Sequence, residues 1–153
     1  MWVRVDNRLI HGQIIETWLP YTGAKHLLVV NDELAADDLQ QQIVSLAVPG
    51  RVSITFVRVD ELDDFVTRRG VPLDDTLVLF ANCKDARRSS EKGFAFQVLN
   101  IGNLHYAPGK RQLCPHVAVS EDDEACLRFF KRNNVSLDFR CVPNSPVQVK
   151  GWS

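Results

Sequence analysis

Asp6, Asn7, Arg8, His11, Gly12 and Gln13 bring two opposite charges, two side-chain amides, an imidazole and a glycine into one short stretch. Those residue types suit an anion, and a phosphoryl group above all. Free N–H groups and the positive end of a helix dipole favour negative charge at a helix N-terminus, and Gly12 lets the backbone approach closely. Arg8 adds a planar, permanently charged fork that grips two phosphoryl oxygens at once. His11 supplies the nucleophile: one nitrogen of a neutral imidazole attacks phosphorus while the other donates a hydrogen bond that fixes the tautomer. Asp6 is spaced to be that partner or to orient Arg8. Phosphoryl transfer rests on in-line placement and charge neutralisation, so such a loop needs no metal. A lone histidine beside a helix start is also a common cap or surface residue, and spacing alone leaves both readings open.

Elements that would hold this loop alternate between short β-rich runs and amphipathic helical stretches, without a repeat or a low-complexity segment. Residues 3–5 predict a first strand. Ile14, Ile15, Trp18 and Leu19 fall at helical spacing over 11–19, closed by Pro20 and Gly23. Residues 26–30 predict a buried strand, with Asn31 or Asp32 capping a helix whose apolar side is Leu34, Leu39, Ile43 and Leu46. Further strands are expected at 52–59, 76–81, 96–101, 117–119 and 135–142. Helices are expected at 60–69, ended by Gly70, and after the capping box Ser120 to Asp123, with Leu127 and Phe130 inward. Residues 82–92 read as a polar, weakly helical connection, and 102–112 as a loop. The pattern implies a single α/β domain over residues 1–153, three-layered α/β/α, with a mostly parallel open sheet of about six or seven strands. Ligands of such sheets bind outside the carboxyl ends of the strands, which places the loop after the first strand at the expected site.

The chain has 153 residues, enough for one core, and 18 basic against 19 acidic residues give a net charge of −1. No broad electrostatic attraction for nucleic acid or anionic lipid follows from that balance. The absence of a long apolar run or a signal-peptide pattern predicts a cytoplasmic protein. Cys83, Cys114, Cys126 and Cys141 form no C-x-x-C pair, and Cys114 with His116 falls short of a zinc ligand set, so no metal is expected. No glycine-rich nucleotide fingerprint follows the first strand, which leaves ATP and NAD without support. His105, Tyr106, Lys110, Arg111 and Gln112 fit either the rest of an anion pocket, a partner-facing surface or a solvated loop. His26 and His116 read as structural. Trp2, Trp18 and Trp152 fit either the core or an apolar patch for self-association into a homo-oligomer.

The run Arg4-Val5-Asp6-Asn7-Arg8-Leu9-Ile10-His11-Gly12-Gln13 closely resembles the signature of the IIB components of the mannose/fructose/sorbose family of the bacterial phosphoenolpyruvate-dependent sugar phosphotransferase system (PTS). The resemblance continues at Val30 to Ala35, Leu79 to Asn82, Asn100 to Gly102, Gly109 to Gln112 and Val117 to Ser120, covering nearly the whole chain. It implies that His11 is phosphorylated by a histidine of a separate IIA protein and passes the group to a sugar held by membrane IIC and IID partners. No cofactor is implied, and the chain would associate peripherally with that permease. Arg8 matches an arginine that helps hold the phosphoryl group, and Asp6 the acidic position of the loop. Gly12, Gln13, Asp32 and Lys110 are the expected phosphate or substrate contacts. The family commonly has two glycines where this chain has Gly102 and Asn103, and the turn is expected to survive because Asn tolerates left-handed backbone angles. The alternative is a regulatory or binding module that keeps the same phosphohistidine loop.

Overall fold

Val3, Val5, Leu28, Val30, Val78, Phe80, Leu99 and Ile101 alternate along their strands with Leu27, Val29, Leu77 and Leu79, and the two sets join two separate buried clusters. A sheet that is apolar on both faces must be covered on both. In the computed structural model, which describes residues 1–152, the strands are β1 (Trp2–Asp6), β2 (His26–Val30), β3 (Ser53–Val57), β4 (Thr76–Phe80), β5 (Val98–Asn103), β6 (Arg111–Cys114), β7 (Val117–Val119) and β8 (Ser136–Asp138). Six of them form one parallel sheet in the order β3-β2-β4-β1-β5-β8. The helices are α1 (Leu19–Thr22), α2 (Asp32–Ala35), α3 (Asp38–Ser45), α4 (Leu62–Arg69), α5 (Cys83–Glu91) and α6 (Glu121–Arg132). Leu62, Cys83, Ala86, Leu127 and Phe130 carry α4, α5 and α6 onto one face, and Ile14, Trp18, Leu19 and Leu34 cover the other. The three-layer architecture expected from the sequence is therefore the one observed.

Several elements differ from expectation for local physical reasons. Pro20 does not close its helix. It sits in the first turn of α1, where a missing N–H is tolerated, and the helix ends at Gly23 with φ 66. The preceding turn, Ile14–Trp18, is π-helical, with the Leu19 N–H reaching the Ile14 carbonyl. Pro20 offers no N–H to the Glu16 carbonyl, a usual cause of such widening.

Leu39, Ile43 and Leu46 do not face the core: they are 68%, 50% and 87% exposed. The helix breaks after Ala35 and restarts at the Asp37 cap, so only Leu34 of the expected apolar side reaches the sheet. Residues 82–92 hold a full helix, capped by the Asn82 side chain, which buries Cys83, Ala86 and Ser89 at helical spacing. Small residues make that stripe, which hid it from a search for large apolar ones. The 102–112 loop is shortened at both ends, by β5 running to Asn103 and by β6, which pairs with β7 as an antiparallel ribbon outside the main sheet. The last strand is Ser136–Asp138 alone, because residues after it turn to serve the buried polar cluster described below.

Candidate active site

β1 lies between β4 and β5, and the connection after β1 leads toward β2 on one side while that after β5 leads toward β8 on the other. The end of such a strand opens a crevice between diverging connections. Residues 7–11 occupy it, and residues 12–22 leave as one helical segment beginning with the Ile15 N–H to His11 carbonyl bond. Leu9 sits at φ 55, a left-handed conformation that costs a side-chain-bearing residue about 1 kcal/mol or more. The Leu9 N–H to Asp6 carbonyl bond closes that turn. Asn7 ties the loop to β5: its N–H donates to the Asn103 carbonyl and its Oδ1 accepts the His105 N–H at 2.7 Å.

Asp6 is completely buried, and every contact it makes is with a donor. Oδ2 accepts Arg4 Nη2 at 3.0 Å, Arg8 Nη2 at 3.3 Å and His11 Nε2 at 2.9 Å, while Oδ1 accepts the Arg8 N–H at 3.0 Å and Arg8 Nε at 3.2 Å. Burial pushes this carboxyl up, but the hydrogen bonds from His11 and Arg8 outweigh it and hold Asp6 well below the usual carboxylate range. On the other ring nitrogen, the Gln13 N–H donates to His11 Nδ1 at 3.3 Å. With Nδ1 accepting, the tautomer that fits both contacts keeps its proton on Nε2 and donates the hydrogen bond to Asp6. Arg8 Nη2 reaches on to Gln13 Oε1 at 2.9 Å. Two guanidinium groups face one carboxylate here, which leaves one positive charge beside the imidazole.

A depressed folded pKa stabilises the protein fully above the ordinary carboxylate value of about 4, and that stabilisation is lost as pH falls through the folded value. Urea denaturation midpoints are therefore expected to drop between about pH 5 and about pH 3, and the drop should be smaller in an Asp6→Asn variant. Equal slopes would assign the acid sensitivity to other carboxylates.

The structure brings Asp6, Arg8, His11 and Gln13 together. An added Cβ at Gly12 meets nothing within 4 Å, so the space over that residue is open. Asp32 and Lys110 lie in other networks. Asp32 accepts the Val59 N–H at 2.9 Å and Arg88 Nη2 at 3.5 Å, whereas Lys110 Nζ donates to the His105 carbonyl and lies 3.9 Å from Asp123. Neither is joined to the His11 cluster by a hydrogen bond or ion pair among the described residues. Asn31 and Glu33, the neighbours of Asp32, line a crevice of about 260 Å³ with Arg8, Leu9 and Ile10.

Arg4, Asn100, Gly102 and Cys141 complete the arrangement, and no role was assigned to them from spacing. Arg4 is buried under the loop. Its Nη1 donates to Asn100 Oδ1 at 2.6 Å and to the Arg140 carbonyl at 3.2 Å, and its Nη2 donates to the Cys141 carbonyl at 3.0 Å. The guanidinium lies 4.7 Å from the centre of the Trp18 ring, whose Nε1 shares the Cys141 carbonyl. A Cβ on Gly102 would stand 1.9 Å from Arg4 Cζ. Gly102 is thus required for space, and the left-handed backbone invoked for Asn103 is not used, since Leu9 and Asn134 are the non-glycine residues with positive φ among those described. The available signal was the period-2 pattern of Trp2-Val3-Arg4-Val5-Asp6, which puts Arg4 on the same face as Asp6. Of the three tryptophans, Trp18 is core, Trp2 meets it edge-on at 6.1 Å, and Trp152 lies apart against Arg128 and Lys131.

No helix among the described residues is long and apolar enough to cross a membrane. The profile of the family described as "PTS system sorbose subfamily IIB component" matches residues 1–149. The N-acetylgalactosamine-specific phosphotransferase enzyme IIB component 1 of Escherichia coli K12 is 33% identical over 141 residues, covering 92% of this chain and 89% of that relative. The crystal structure of a PTS N-acetylgalactosamine-specific IIB component 1 from Escherichia coli superposes with a TM-score of 0.88 at 31% identity, covering 97% of each chain. The mannose-specific EIIAB component of Escherichia coli K12 is 29% identical over 143 residues, which are 94% of this chain and 44% of that longer relative. A loop of buried carboxylate, arginine and histidine at the crevice of a parallel sheet thus coincides with a match over nearly the full length, and the chain belongs to the sorbose subfamily of PTS IIB components, the phosphoryl-transfer subunits of sugar phosphotransferase systems.

Proposed function

We propose that this IIB chain carries the phosphoryl group on Nδ1 of His11, taking it from a phosphohistidine of a IIA protein and giving it to a sugar held by membrane IIC and IID partners. The observation that carries the reading is the pair of bonds on the imidazole, Nε2 to Asp6 and the Gln13 N–H to Nδ1. The Nδ1 lone pair attacks phosphorus, the donor's N–P bond breaks, and its electron pair returns to the donor imidazole. His11 keeps its Nε2 proton, so positive charge develops on its ring next to the Asp6 carboxylate. Preorganised charge of this kind lowers a barrier because nothing reorients during the reaction. The Gln13 N–H, released from the lone pair, and Arg8 are placed to receive phosphoryl oxygens. In the second step a sugar hydroxyl attacks phosphorus and gives up its proton to a base on the permease side or to water, the Nδ1–P bond breaks with its electron pair returning to Nδ1, and His11 returns to its starting tautomer.

The EIIAB name of the mannose-specific relative supports a IIA donor. The same reading places the protein in the cytoplasm, at the inner face of its permease. Its homologues carry the names of sugar-specific transfer components, which does not favour the regulatory alternative.

Incubation with phosphoenolpyruvate, the general phosphotransferase proteins and a cognate IIA protein should add one acid-labile phosphoryl group to the wild type and none to His11→Ala. Phosphorus and nitrogen NMR of the product should place it on Nδ1. Phosphorylation of His11→Ala would refute the assignment, and an Nε2 adduct would refute the tautomer argument alone.

A further inference from the structure

Two thiols away from the loop are placed against each other. Cys83 opens α5, Cys126 lies in the middle of α6, and the two helices pack side by side. Arg87 of α5 lies over the Phe129 ring of α6, and one turn back along each helix stand Cys83 and Cys126, both members of the same buried cluster. Cys83 is sealed in the core, while Cys126 reaches the wall of a crevice of about 420 Å³ that also holds Lys84, Arg87, Arg88 and Asp123. Arg87, one turn along α5 from Cys83, lies over the Phe129 ring at 4.4 Å and shares the crevice wall with Cys126. The arrangement has the parts of an oxidisable dithiol: a sulfur with solvent access beside a guanidinium, and a second sulfur behind it with no access of its own.

We propose that Cys126 and Cys83 form a peroxide-sensitive pair that closes to an α5–α6 disulfide. The Cys126 thiolate attacks one oxygen of a hydroperoxide, the O–O bond breaks, and the leaving oxygen takes a proton to give water or an alcohol. Cys126 is then a sulfenic acid. Cys83 sulfur attacks the Cys126 sulfur, the S–O bond breaks, and the departing hydroxide takes the Cys83 proton as a second water. With hydrogen peroxide, two thiols and one peroxide become one disulfide and two waters. The proton distribution favours this direction: the hydrogen bond with Cys126 and burial push the Cys83 thiol up, whereas the hydrogen bond from Cys83, against burial and helped by Arg87, pulls the Cys126 thiol down. Neither cysteine touches Asp6, Arg8 or His11, so the inference stands apart from the phosphoryl chemistry.

The test is peptide mapping of the full chain after hydrogen peroxide, with remaining thiols alkylated under denaturing conditions. The expected product is a peptide pair linked through Cys83 and Cys126, two hydrogens lighter than the reduced pair, with Cys114 and Cys141 still alkylated. Cys83→Ser should instead leave a sulfenic acid at Cys126 that dimedone traps, and Cys126→Ser should leave Cys83 reduced. Wild type whose Cys126 sulfenic acid persists unlinked, or in which Cys114 oxidises first, would overturn the proposal, as would a Cys126 that peroxide does not touch.

Discussion

Asp6→Asn is expected to slow phosphorylation of His11 by about 10²–10⁴-fold, the range associated with losing a positioned proton partner of a catalytic imidazole. Asp6 holds the Nε2 proton through its 2.9 Å contact and opposes the charge that grows on the ring. An asparagine offers one accepting oxygen where Asp6 offers two, and its amide hydrogens would meet the Arg8 donors at the Oδ1 position or those of Arg4, Arg8 and His11 at the Oδ2 position. The measurement is single-turnover transfer from phosphorylated IIA, at a temperature where circular dichroism shows the variant folded. A folded variant within tenfold of wild type would show that the carboxylate serves the fold and not the imidazole.

Arg4→Met is expected to be the most damaging single change to stability, by about 3–5 kcal/mol, the usual cost of removing one partner from a buried ion pair. It strips the Asn100 Oδ1 of its donor and leaves Asp6 buried with one guanidinium fewer. For a chain of this size that loss corresponds to a fall in Tm of roughly 10 °C. Gly102→Ala attacks the same group from the opposite side, because the new methyl would occupy the space of Arg4 Cζ. Calorimetry of both variants gives the answer. If Gly102→Ala alone were neutral, the guanidinium would have room to move and the clamp on Asp6 would be loose.

Strand positions and the two-sided sheet were legible because Leu27 to Val30 and Leu77 to Phe80 are continuous apolar runs, which only a covered parallel sheet accommodates. The His11 loop was legible because polar residues of complementary chemistry cluster between a strand and a helix. The break between α2 and α3 was not, because Leu39, Ile43 and Leu46 keep helical spacing while facing water, and periodicity reports a face without saying what meets it. Asp32 and Lys110 lie in segments that carry the resemblance, and their observed partners, Val59, Arg88, His105 and Asp123, depend on which loops meet. The Arg4 clamp was hidden for a related reason: its carbonyl partners are backbone groups of residues 140 and 141, which no side-chain pattern reveals.

The Arg4 to Cys141 bond spans 137 residues, which has a consequence for the birth of the molecule. At a synthesis rate of about 5–20 residues per second, roughly seven to twenty-seven seconds separate the two ends of that bond. A nascent chain can pair β1 with β4 and then β5, yet Arg4 stays without its carbonyl partners and Trp18 without its acceptor until residue 141 has left the ribosome. The acid beneath His11 is therefore set in place by a segment made long after it, and the cluster around the imidazole is complete only once residues 140 and 141 have reached Arg4.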